Sequence, residues 1–167
     1  SVCFRGRFPE KRQGTLTISR DATGRWYAST HAKEIVVLKK KTGKPIGLDL
    51  GLTHLAILST GKKIDNFYPR KTAQKRFSSL QRSLARKEKG SARRNRVKVE
   101  LANLHKKIAD ARLNHLHHAS KKITSENQAV IYCESLAVKN MMANHKLASS
   151  IADTSWGEFM RQLAYKQ

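Results

Sequence analysis

Acidic residues are scarce in this 167-residue chain: 12 Asp and Glu stand against 34 Lys and Arg, giving a net charge of +22 with seven histidines neutral. So one-sided a field repels itself and seeks a polyanion. Cysteine is equally sparse. Cys3 and Cys133 lie far apart and form no CxxC pair, which excludes a disulfide framework and, from this chain alone, a zinc ribbon. The same sparseness fits a reducing cytoplasm. No apolar run approaches the roughly 18 residues of a membrane span, and no basic stretch leads into a short apolar segment with a small-residue cleavage site. Membrane partners and secretion are not expected, and neither an internal repeat nor a low-complexity segment is visible.

What is present suffices for one ordinary domain. Hydrophobic residues make up 39% of the chain, and a domain of this size buries around 70% of the surface its unfolded chain exposes. Ser1 in place of Met, and a helical pattern running into Gln167 without a stop, lead us to expect a central piece of a longer protein. Gly14 to Ser19 and Arg25 to Thr30 alternate across the turn residues Asp21 to Gly24, predicting a β-hairpin; Ile35 to Leu38 could add a third strand. The basic connector Lys39 to Lys44 marks a boundary, which places a small β domain at 1–43 and a larger unit at 44–167. Pro45 to Leu50, Leu55 to Ser59 and Lys63 to Phe67 read as an antiparallel meander.

From about Thr72 the period becomes helical. Phe77, Leu80 and Leu84 share a face, Gly90 is a stop, and Ser91 is a candidate N-cap. Val97, Leu101, Leu104 and Ile108 line a second, longer helix, so 70–127 should fold back as a helical hairpin. Ala129 to Cys133 is apolar on both faces and reads as a central strand covered on both sides. A last helix from about Thr154 would anchor through Trp156, Phe159, Met160 and Leu163.

Two acids stand out. In Ile46 to Leu52, the two-residue period of a strand sends Ile46, Leu48 and Leu50 one way and Gly47, Asp49 and Gly51 the other. A carboxylate flanked by glycines leaves space for a metal ion and a phosphate backbone to approach. Glu134 ends the AVIYC strand, and ligand sites in open α/β sheets gather at the carboxyl ends of strands. Carboxylate oxygens suit magnesium or manganese, and two such ions about 4 Å apart can stabilise both oxygens of phosphodiester cleavage. Each acid alone also reads as a hydrogen-bonded Asp near a turn or a plain surface Glu. Asp153 reads more simply as an N-cap or first-turn residue of the last helix, and Asp65 as a solvent-facing strand residue.

Between Arg70 and Asn127 there are 17 basic residues against four acids, half of all the Lys and Arg. Ordinary solvated helices intersperse both signs for i,i+4 pairing, and this segment does not. Arg82, Arg86, Lys87, Lys89, Arg93, Arg94 and Arg96 form the densest cluster and are the candidate nucleic-acid contacts. His105, His115, His117 and His118 lack metal-ligand spacing and are expected to be solvated or to face phosphate. Of Trp26 and Tyr27, alternation predicts one in a core and one on the surface.

GLDLGL at Gly47–Leu52, the basic hairpin beginning near Phe67-Tyr68-Pro69-Arg70, SLARKEKGS at Ser83–Ser91, VIYCESLAVKNM at Val130–Met141 and SIADTSWGEFMRQLAYK at Ser150–Lys166 together resemble the TnpB (OrfB) transposase family. The resemblance runs from about Gly14 to the last residue. It implies an α/β fold, with an RNase H-like, RuvC-type nuclease core from about Lys44 and a hairpin that is the remnant of an OB-like wedge barrel. It implies an RNA-guided DNA endonuclease whose partners are guide RNA and target DNA, with Asp49 and Glu134 as magnesium-binding catalytic acids. Family members continue into a Cys-rich zinc segment and a third catalytic aspartate, for which this chain has no matching residues. The alternative reading is a non-catalytic basic DNA- or RNA-binding module.

Overall fold

The computed structural model describes residues 12–33, 43–126 and 130–167. The third strand expected at Ile35–Leu38, most of the Lys39–Lys44 connector and Ala129 lie outside the described residues. The chain divides into two compact units, Ser1–Lys39 and Lys40–Gln167.

The first unit contains an antiparallel pair, β1 (Arg12–Arg20) and β2 (Trp26–Ala32), with Ser19 opposite Tyr27 and Arg20 opposite Trp26. Asp21 organises the turn. Its Oδ1 accepts from the amides of Thr23 at 2.9 Å and Arg25 at 3.0 Å and from the Thr23 hydroxyl, while Oδ2 accepts from the Tyr27 hydroxyl. These bonds, the Thr23 hydroxyl foremost, hold its carboxyl down at about 2. Trp26 and Tyr27 are 67% and 40% exposed, so neither is the core residue that alternation predicted. A two-stranded ribbon has one layer, and strand alternation buries a side chain only where a second layer covers it.

In the second unit, β3 (Ile46–Leu50), β4 (His54–Leu58) and β5 (Lys63–Asp65) form the expected meander. β6 (Ile131–Cys133) joins it parallel to β3, giving the order β5-β4-β3-β6. β6 is thus the edge strand among the described residues, with Tyr132 64% exposed, which corrects the reading of a strand covered on both sides. Ile46, Leu48, Leu50, Ala56, Leu58 and Ile64 point to a single core.

α1 (Pro69–Ala85) starts three residues earlier than the periodicity suggested, with Pro69 in its first turn, where a missing N–H costs nothing. Gly90, at φ +87°, reverses the chain, and the Ser91 hydroxyl accepts from the Arg94 amide at 3.2 Å to cap α2 (Ala92–Thr124). Phe77 packs against Leu104 and Ile108, so the two helices run antiparallel along the predicted seam. The far end of α2 turns Leu116, Ala119 and Ile123 onto the sheet.

A short helix, α3 (Val138–Met141), and α4 (His145–Thr154) precede α5 (Trp156–Lys166). The helix expected from Thr154 is therefore the second of a pair, broken at Ser155 in the left-handed conformation, φ 55°. Phe159, Trp156 and Leu163 close the core. Asp153 does not cap α5. It is 3% exposed near the end of α4, ion-paired to Arg112 Nη2 at 2.5 Å, and accepts from the Arg70 amide at 3.2 Å, capping α1 instead.

Candidate functional site

The strand period that buries Leu48 and Leu50 exposes Asp49 on the opposite face, where it pairs across the sheet with Ile57. Gly47 lies on the same face. Its amide donates to Ser59 Oγ at 3.1 Å, and a Cβ built there would meet only Ser59, at 3.6 Å, so the bare backbone opens the surface beside Asp49. In the parallel ladder Leu48 is opposite Cys133. One residue on stand Asp49, still in β3, and Glu134, just past the end of β6, brought from distant parts of the chain into the same cleft.

Gly47, Asp49, Ile57, Ser59, Tyr132 and Glu134 line an open cleft of about 530 Å³. Both carboxylates are exposed, and neither has a hydrogen-bond or ion-pair partner among the described residues. Other acids are engaged: Asp65 with His54, Glu126 with Lys62, Asp153 with Arg112 and Glu158 with Arg161. In a chain of such positive charge, two unpartnered acids in one cleft concentrate negative potential. Burial first, then the charges of Glu134 and Asp49, push the Cys133 thiol up, so both carboxylates lie within electrostatic reach of one sulfur. Two hard oxygen donors beside a glycine-cleared surface are the donor chemistry that suits magnesium or manganese. Among the described residues no group of three or more His, Cys, Asp and Glu is arranged to hold a metal.

The basic cluster forms at the turn of the hairpin. Arg82, Arg86, Lys89, Arg93 and Arg96 are exposed and Lys87 is half-buried. Arg94 is used differently: its Nη1 donates to the Leu84 and Lys87 carbonyls at 2.5 and 2.8 Å, closing the carboxyl end of α1. His105 and His118 are exposed, and His115 and His117 are half-buried. His105 meets Phe77 edge-on at 4.9 Å between ring centres, His117 receives Lys166 Nζ at 3.0 Å, and His115 bonds the Asp65 carbonyl at 3.1 Å. Burial, followed by neighbouring His118, lowers the His115 pKa. Sequence reasoning missed Ser79 and Ser83, which share a second cleft, of about 390 Å³, with Arg82, Arg86 and Lys87. Their i, i+3, i+4, i+7 spacing was the available signal.

No helix among the described residues is long and apolar enough to cross a membrane. Residues 29–145 match the OrfB family of IS605 elements, described as "Probable transposase". Over 152 residues the chain is 39% identical to a Streptomyces pristinaespiralis protein named "Putative RNA-guided DNA endonuclease", an alignment covering 91% of this chain and 38% of the relative. It is 34% identical over 182 residues to "Putative RNA-guided DNA endonuclease InsQ" of Escherichia coli (strain K12), covering 96% of this chain and 45% of the relative. The chain thus spans less than half the length of both. With a family match across most of its residues and two such relatives along nearly all of it, this α/β chain belongs to the TnpB (OrfB) transposase family.

Proposed function

We propose that the second unit is the RuvC-type, RNase H-like part of a metal-dependent, RNA-guided DNA endonuclease, and that the β1–β2 hairpin belongs to an OB-like wedge domain. The observation that carries this reading is that Asp49 on β3 and Glu134 at the carboxyl end of the parallel strand β6, both exposed, line one cleft of a strongly basic chain. The names of the two relatives support the same reading.

In it, Asp49 and Glu134 hold magnesium or manganese, and the family's zinc belongs to segments this chain does not match. A bound magnesium ion would supply positive charge to the phosphodiester and lower the pKa of water at the site. The chain's own residues do the rest. Gly47 admits the sugar-phosphate backbone to the sheet surface, the two carboxylates would hold the ion that orients the reacting phosphate, and the hairpin cations grip a guide RNA–target DNA duplex through its phosphates and shape.

The test is divalent-dependent cleavage of single-stranded DNA, with manganese binding followed by calorimetry, for the unsubstituted chain, Asp49→Ala and Glu134→Ala. Loss of metal binding in both variants is expected. Binding and cleavage unchanged in both would remove the assignment. With two carboxylates among the described residues that line the cleft, a second reading has support: a non-catalytic binder of DNA or RNA, whose affinity is salt-sensitive and indifferent to Asp49 and to divalent ions.

A further inference from the structure

Resting on the reading that the hairpin binds nucleic acid, we propose that α1 carries a discrete seat for one backbone phosphate, built from Ser79 and Ser83 between Arg82, Arg86 and Lys87. The first four lie at i, i+3, i+4 and i+7 and therefore share one helical face, distinct from the seam face of Ala73, Phe77 and Leu80. The two short serines leave a floor between long cationic side chains, and the five residues enclose about 390 Å³.

The hydroxyls are free for an outside ligand. Four other helical hydroxyls bond back to the carbonyl four residues earlier, Thr72 at 3.1 Å, Ser120 at 2.8 Å, Thr124 at 3.0 Å and Thr154 at 2.8 Å. This is the usual resting place of a helical Ser or Thr. Ser79 and Ser83 make no such bond, and their hydroxyls have no partner among the described residues. The cations are equally uncommitted. Arg82 Nε makes one long contact, 3.4 Å to the Ser78 carbonyl, and none of the three side chains has a carboxylate partner among the described residues. Nor are they needed to neutralise the carboxyl end of α1, because Arg94 already serves the Leu84 and Lys87 carbonyls.

Two neutral O–H donors flanked by forked guanidinium donors match the oxygens of a phosphate, which accepts several charge-assisted hydrogen bonds at once. The cations of Lys89, Arg93 and Arg96 nearby in the hairpin favour a phosphate in a polynucleotide over a free one, since a strand delivers a row of them.

The test uses the full 167-residue chain without divalent metal and a labelled 20-base-pair RNA–DNA duplex, with affinity measured by anisotropy from 50 to 200 mM KCl. Ser79→Ala/Ser83→Ala keeps every charge and favours the helix, so circular dichroism should not change. It should weaken binding about tenfold with an unaltered salt slope, the loss of two hydrogen bonds. Arg86→Ala should lower the slope by about 0.9, one phosphate's share. Arg93→Ala/Arg96→Ala, outside the seat, should lower the slope by about 1.8 if the hairpin binds the duplex at all, so failure of that reading and failure of the seat are separable. Serine variants that bind as the unsubstituted chain does would overturn the seat. Micromolar, saturable binding of inorganic phosphate alone, with the duplex indifferent to the serine changes, would overturn its assignment to a polynucleotide.

Discussion

Asp153→Ala removes an acceptor that two separate elements share. The Asp153 carboxylate is 3% exposed; it pairs with Arg112 at 2.5 Å and takes the Arg70 amide at 3.2 Å, joining α4 to α2 and to the first turn of α1. Arg112 already has a buried Nε without a partner, and its side chain is 24% exposed. Deleting the acid leaves a mostly buried guanidinium unpaired, a change that costs about 3–5 kcal/mol in fully buried pairs. Partial exposure of Arg112 lowers this, and the lost cap of α1 adds about 1 kcal/mol, so the expected net is about 3 kcal/mol. That is a fall in Tm of roughly 6–12 °C for a chain of this size. Trp156, 2% exposed, reports unfolding of the second unit, and a Trp26→Phe background removes the solvent-exposed Trp26 signal of the first. Urea unfolding of Asp153→Ala, Arg112→Met and Arg112→Met/Asp153→Leu completes the comparison. The apolar double variant should recover to within about 1 kcal/mol of the starting protein, because no charge is then left buried. A cost below about 1 kcal/mol for Asp153→Ala would refute the argument that this acid holds three helices together.

Ser91→Ala should cost about 1 kcal/mol and Ser91→Gly only a few tenths, measured by the same unfolding curves, because the hydroxyl caps α2. Bonds from Arg161 and then Gln162 lower the Glu158 pKa to about 2, so its stabilisation is present above its usual value of 4.5 and lost as pH falls from there towards 2. Glu158→Gln should lower Tm in the neutral region and flatten that part of a Tm against pH curve, so that the two proteins converge towards pH 2. Gly47→Leu should fold, since its Cβ makes only an ordinary contact with Ser59, yet fill the cleft beside Asp49; manganese affinity by calorimetry should fall about tenfold or more. Full manganese affinity in that variant would mean that the two acids do not bind an ion through this cleft.

The strand alternation around Asp49, the Gly90–Ser91 break and the apolar seam of the hairpin were legible because each depends on residues within a turn or two of one another. What escaped depends on distance in the chain. Nothing near Asp153 announces Arg112, 41 positions away, so a buried ion pair reads locally as a helix cap. The break between α4 and α5 falls at Ser155 rather than at a glycine or asparagine, the residues that tolerate the left-handed region, and so carried no local mark. The partial burial of His115 and His117 was hidden for a related reason: it depends on what neighbouring elements place beside them, here the Asp65 carbonyl and Lys166. Conversely, β6 looked interior from its apolar run, yet a strand's place in a sheet is decided by its partners, and β3 is the partner found among the described residues.

The parallel pairing of β3 with β6 also sets a clock. Glu134 follows Asp49 by 85 positions, with the whole hairpin between them. At about 5–20 residues per second, a ribosome delivers the second acid roughly 4–17 s after the first. The meander and the hairpin, held by local contacts, can form within that interval, whereas the β3–β6 ladder must wait. The nascent chain therefore displays the cations of its hairpin before its carboxylates can meet, and on the proposed reading the grip on nucleic acid would precede the site that cuts it.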